Sequence, residues 1–185
     1  MKVLTIIGNG SEDTELVTTV DILRRGGVEV ILASIDSMDV KLSHGFIIKA
    51  DTLFKKLSDD ECLKYDALFI PGGKAAFTSM HKIDRLFSLV KKFNEKGKII
   101  SSICAAPSIF GIAGVLDNKK FTCFDGFEKY MPNGKYIKES GSVKDENIIT
   151  GRSMNYTVEF GLMLLEALTN KDTRIKIANA ILRNE

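Results

Sequence analysis

One feature narrows the fold of this chain more than any other: short runs of strand-forming residues alternate with longer stretches of helical period. VLTII (3–7), EVILAS (29–34), ALFI (67–70), KIISSI (98–103) and NIIT (147–150) read as strands. The segment 11–27 reads as a helix with Leu16, Val20 and Leu23 on one face and Gly26–Gly27 as its stop. A second helix, 84–97, carries Leu86, Val90 and Phe93 at helical spacing and ends on Gly97. AAPSIFGIAG after the 98–103 run predicts a short helix, and TVEFGLMLLEALTN and DTRIKIANAILRN predict two closing ones. LSHGFIIKAD (42–51) reads as a turn and short strand, a hairpin excursion from the main pattern.

Strands alternating with helices imply right-handed βαβ crossovers and a mostly parallel sheet covered on both faces. A length of 185 residues suits one domain over 1–185 with one sizeable core, and no repeat or linker interrupts it. In such sheets, sites gather at the carboxyl ends of the strands. Three loops satisfy that geometry: GNGSEDTE after the first strand, PGGKAA after 67–70, and CAAPS after 98–103.

Several functions are set aside by what is missing. The net charge is +2 with no basic block, so no nucleic-acid partner is expected. The opening apolar run is shorter than the roughly 7–15 residues of a secretory signal, and reads as a first strand. No stretch approaches the ~20 residues of a membrane span, so no membrane is expected. Cys62, Cys104 and Cys123 follow no CxxC or CxxH pattern. They read as reduced thiols of a cytoplasmic protein, and with only His44 and His81 beside them no metal site is expected.

GNGSEDTE invites a dinucleotide reading, but the third glycine of that fingerprint would fall at Asp13. Glu12, Asp13 and Glu15 would also repel a phosphate at the helix start. Glu12 and Asp13 read as solvated residues stabilising the helix, whereas Glu15 abuts Leu16 and is placed to point back toward the strand ends. In CAAPS, Cys104 as a helix cap would leave Ala105, Ala106 and Pro107 as the first turn, with the Ala105 amide free. A thiol there would have its pKa lowered by the helix dipole, in the layout of a nucleophile elbow. The local sequence leaves a second reading open, that Cys104 is a small buried hydrophobe like most free cysteines.

These motifs occur together and in order: G-S-E-D-T-E-L, V-D-I-L-R-R-G-G-V-E-V, Y-D-A-L-F-I-P-G-G, I-C-A-A-P and E-F-G-L. The chain resembles the ThiJ/PfpI superfamily, in the DJ-one-like branch of the parkinsonism-associated protein and the protein deglycases. That resemblance implies an α/β, flavodoxin-like, doubly wound sheet of the class I glutamine amidotransferase-like type, assembled as a homodimer and working without a cofactor. It implies Cys104 as the reactive thiol and Glu15 as a largely protonated acid bonded to the sulfur. Gly73 and Ala105 would supply backbone amides to an oxyanion pocket, with Gly72, Phe124, Arg152 and His44 around the rim.

The chain departs from relatives of protease type at Ala105, where they place a histidine, and at Phe124, where some carry another. Without a histidine to activate the thiol and protonate an amine, a cysteine protease is disfavoured. Ser153-Met154-Asn155 also replace a glycine-proline-glycine turn after Arg152. Two functions follow from the resemblance. One is a glutathione-independent glyoxalase or deglycase acting on small reactive carbonyls. The other is a redox sensor or stress chaperone whose Cys104 is oxidised to sulfinic acid.

Overall fold

The computed structural model describes residues 1–181. β1 (Lys2–Ile7) leads into α1 (Asp13–Arg25), which returns to β2 (Glu29–Ser34). β3 (Asp39–Lys41) and β4 (Ile47–Lys49) form the expected antiparallel hairpin excursion, and β5 (Thr52–Leu53) regains the sheet. A helical turn, α2 (Asp59–Cys62), precedes β6 (Ala67–Ile70), and α3 (Lys74–Thr78) and α4 (Asp84–Glu95) follow it. β7 (Ile99–Ile103) enters the short α5 (Pro107–Ile112). β8 (Lys120–Phe121) and β9 (Lys135–Tyr136) pair with each other, parallel, outside the main sheet. β10 (Ser142–Asp145) and β11 (Ile148–Gly151) return to it, and α6 (Thr157–Leu168) and α7 (Lys171–Ile181) close the fold. The last residues of the predicted closing helix, 182–184, lie outside the described residues.

The main sheet runs β10-β11-β7-β6-β1-β2-β5, with every pairing parallel except β10 with β11. Successive side chains of a strand face opposite sides, and here both sides are buried. Leu4 and Ile6 of β1, Leu68 and Ile70 of β6 and Ile100 of β7 meet Leu86, Val90 and Phe93 of α4 and Ile109 and Phe110 of α5. On the opposite face, Val3, Ile7, Phe69 and Ile103 meet Leu16, Val20 and Leu23 of α1 and Phe160, Leu164 and Leu165 of α6. The expected layering therefore follows from near-continuous apolar strand runs with an amphipathic helix on either side. Each fully buried large side chain stabilises the fold by roughly 1.5–3 kcal/mol. Because β7, β6 and β1 are adjacent and parallel, their carboxyl ends deliver Cys104, the Gly72–Gly73 turn and the loop before α1 to one place.

Candidate active site

Cys104 lies immediately beyond β7, and its backbone takes φ +64°, a left-handed conformation that a residue with a Cβ rarely adopts. Two long-range bonds hold it there: its N–H donates to Gly151 O at 2.9 Å, and its carbonyl accepts from Phe124 N at 2.9 Å. The expected cap is not what forms. α5 begins at Pro107 with Ala106 as its cap, so the thiol sits in a turn ahead of a six-residue helix rather than on that helix's first residue. The individual amides of the turn matter more here than a helix dipole. The Ala105 and Gly73 amides, from two different segments, both favour a charge on the Cys104 sulfur.

Gly73 comes from a separate segment, the turn between β6 and α3. It caps α3 with φ +87°, bridges to Ser11, and a Cβ on it would stand 2.4 Å from Glu12 N. Gly72 is wedged in turn, since a Cβ there would meet Glu15 Oε2 at 2.5 Å and Cys104 Cβ at 2.6 Å. Both positions exclude a side chain on steric grounds alone.

Glu15 is fully buried. Gly72 N donates to its Oε2 at 2.9 Å, while Oε1 is buried with no hydrogen-bond partner among the described residues. Burial chiefly, then the charge of Glu12, raises the Glu15 pKa to about 7, against the opposing bonds from Cys104 and Gly72. The Cys104 thiol is also pushed up, by burial and by Glu15, while the Ala105 and Gly73 amides pull it down. This corrects the expectation of a simply lowered thiol pKa. The two groups are coupled, since an ionised Glu15 disfavours a second negative charge on the Cys104 sulfur.

Glu12 and Asp13, expected to be solvated, are buried. Glu12 caps α1 by accepting from Glu15 N at 2.6 Å, and its own N–H donates to Gly72 O. Asp13 accepts from both the backbone N–H of His44 and, at 3.0 Å, its ring Nδ1. These acids are enclosed because the 42–46 turn and the Gly72 loop fold over the helix start. Glu12, Asp13 and His44 bring ligand-type atoms within 4.8 Å of one another, a closeness that no sequence spacing announces.

Arg152 ion-pairs with Asp125 at 3.2 Å, and its backbone N–H donates to Gly141 O. Phe124 is half exposed beside the elbow, and its ring packs edge-on to Phe127 at 6.5 Å. Cys62 and Cys123 are both fully buried. Burial, ahead of the neighbouring Asp59 and Glu61, raises the Cys62 thiol, so the acids that drew attention in sequence are a lesser cause. Sequence reading gave no role to His81 or Ser108. The structure joins them: His81 Nε2 lies 2.8 Å from Ser108 Oγ, and Ser108 Oγ donates to Ala105 O at 2.6 Å. Residues so far apart in the chain carry no spacing signal that would have paired them.

A family model described as "DJ-1/PfpI family" matches residues 1–167. The chain belongs to the DJ-1/PfpI family. Protein DJ-1 homolog B of Arabidopsis thaliana is 32% identical over 97% of the chain, which spans only 41% of that longer protein. A deglycase of Pyrococcus horikoshii is 34% identical over 82% of the chain and 90% of its own length. The crystal structure of Drosophila melanogaster DJ-1beta superposes with a TM-score of 0.90 at 29% identity, covering 100% of this chain and 98% of that one. The flavodoxin-like, class I glutamine amidotransferase-like fold expected of the DJ-1/PfpI family is therefore the fold of this chain. Among the described residues, no helix is long and apolar enough to cross a membrane.

Proposed function

We propose that the chain converts small reactive 2-oxoaldehydes such as methylglyoxal to hydroxy acids, with Cys104 as nucleophile and no added thiol. The observation that carries this reading is that Cys104, the Gly72–Gly73 turn and the fully buried Glu15 carboxyl meet at one place, with the Glu15 pKa raised to about 7. Deglycase-named relatives support the same reading.

The thiolate attacks the aldehyde carbon, and the carbonyl electron pair moves onto oxygen, where the Gly73 and Ala105 amides hold the developing charge. Protonation of that oxygen gives a hemithioacetal. Glu15 then takes the proton from the former aldehyde carbon and returns a proton to the adjacent carbon, while the hemithioacetal hydroxyl proton passes to the neighbouring oxygen, leaving a hydroxyacyl thioester. Water releases the hydroxy acid and restores the thiol, so the net reaction is the addition of one water to the dicarbonyl. A carboxyl with a pKa near 7 suits both halves of this shuttle. His44 is bonded to Asp13 and His81 to Ser108. Neither is placed as the base that peptide hydrolysis would require.

Purified protein should form lactate from methylglyoxal in the absence of glutathione. No lactate at micromolar enzyme, or undiminished activity in Cys104→Ser, would refute the proposal. The unpartnered Glu15 Oε1 favours a second reading, in which peroxide oxidises Cys104 to sulfinate and the protonated carboxyl bonds the new oxygens. Intact-mass measurement after mild peroxide should then show two oxygens on Cys104 and none on Cys62 or Cys123.

We also propose that the chain forms a homodimer. Val17 on α1 and Phe46 and Ile47 on the hairpin are 52%, 67% and 68% exposed and supply apolar surface for it. Sedimentation velocity reads the outcome directly.

A further inference from the structure

The two amides that favour a charge on the Cys104 sulfur come from separate segments. Gly73 opens the stretch that runs through α3 to the 3₁₀ turn Met80–Lys82. Ala105 belongs to the turn between β7 and α5. His81 stands on the first segment and Ser108 on the second, and the side chains of these two residues meet at 2.8 Å.

The direction of the bonds can be assigned. Ser108 is fully buried, and its hydroxyl lies 2.6 Å from Ala105 O. A hydroxyl carries one proton, and at that separation it must lie between the two oxygens. The Ser108 oxygen is therefore the acceptor toward His81, and His81 Nε2–H is the donor. Burial depresses the His81 pKa below its ordinary value, favouring the neutral ring, and either protonation state can keep a proton on Nε2. The Tyr130 ring packs against the imidazole at 5.3 Å and 77°, restraining its rotation.

We infer that His81 is a positioning residue: by donating to Ser108 it clasps the segment carrying the Gly73 amide to the turn carrying the Ala105 amide. The chain His81 Nε2–H to Ser108 Oγ–H to Ala105 O fixes the peptide next to the elbow. It also sets the separation of the two donors. Hydrogen bonds weaken steeply as they bend, so a loosened clasp would weaken the stabilisation of any anion on the sulfur or on the substrate oxygen. His81 itself touches no reacting atom. This inference rests on the reading of Cys104 as an anionic nucleophile.

The test follows site-resolved alkylation of Cys104 by iodoacetamide against pH, with thermal unfolding measured alongside. His81→Leu should slow labelling at pH 7 about tenfold, equivalent to an upward move of about one pH unit in the midpoint. His81→Gln, whose amide N–H can reach the same oxygen, should recover most of that loss. Ser108→Ala should behave like His81→Leu, and the double variant should be no worse than either single one. Should His81→Leu fail to fold, His81→Gln against Ser108→Ala supplies the same contrast. A histidine that only packs would lower the Tm without moving the midpoint, and that result overturns the clasp. If wild-type Cys104 labels only as an ordinary free thiol does, the nucleophile reading fails and the clasp with it. If wild type is reactive and the variants match it, the clasp alone fails.

Discussion

Cys104 and Cys123 are both enclosed thiols that burial and nearby acids push up, yet only at Cys104 do backbone amides pull the other way. Cys123, two residues past β8, is fully buried, and its thiol is pushed up to about 12 by burial first and by Glu128 and Asp125 after it. Arg152 opposes this, and no backbone amide is among the groups that lower it. At Cys104 burial likewise disfavours the thiolate, but the residue remains part exposed, the Ala105 and Gly73 amides oppose the shift, and the Glu15 carboxyl adjoins it. Enclosure makes a thiolate costly in both places. On the proposed function, donors and a neighbour able to hold the proton set Cys104 apart from Cys123 as the nucleophile.

The largest effect should come from exchanging sulfur for oxygen at each site. Cys104→Ser should lower lactate formation from methylglyoxal by on the order of a thousandfold, while Cys123→Ser should stay within about twofold of wild type. Comparable losses at both positions would erase the distinction.

Next comes the acid. The native state holds the Glu15 proton more tightly than an unfolded chain, because its pKa rises from 4.5 to about 7. Its contribution to stability is therefore greatest below about pH 4.5 and falls as the pH rises through about 7, by about 3 kcal/mol in total. Glu15→Gln should flatten that slope in denaturant unfolding measured from pH 5 to 8, leaving the variant more stable than wild type at the alkaline end. A slope that survives the substitution would assign the titration to another group.

A smaller effect tests the backbone. Because Cys104 stands at φ +64°, Cys104→Gly should unfold at higher denaturant than Cys104→Ala, by about 1 kcal/mol. At Cys123 no left-handed strain exists to relieve, so glycine should there be the worse replacement, again by roughly 1 kcal/mol. Equal values for the two glycine variants would remove strain from the account of the elbow.

Much of the architecture could be read from residues alone, since apolar strand runs and glycine stops act locally. The hairpin around Gly45 was visible for the same reason. The parallel β8–β9 pair was not, because two-residue strands carry no period to detect. Cys104 and Glu15 could be singled out by neighbours and by resemblance. The enclosure of Glu12 and Asp13 could not, because acids at a helix start look solvated until distant loops fold over them. The start of α5 was misplaced because nothing local signals the left-handed turn inserted before Pro107. His81 and Ser108 stayed unread because a side-chain contact across two loops leaves no pattern in the chain.

The packing of α1 against α6 has a consequence for what holds the acid in place. Glu15 is made early, but the helix that carries it rests on Phe160, Leu164 and Leu165, which a ribosome adds near the end. The place of Glu15 beside Cys104 thus draws on both ends of the sequence: on strand residues such as Val3 and Ile7 beneath α1, and on α6 residues laid against it from near the other end.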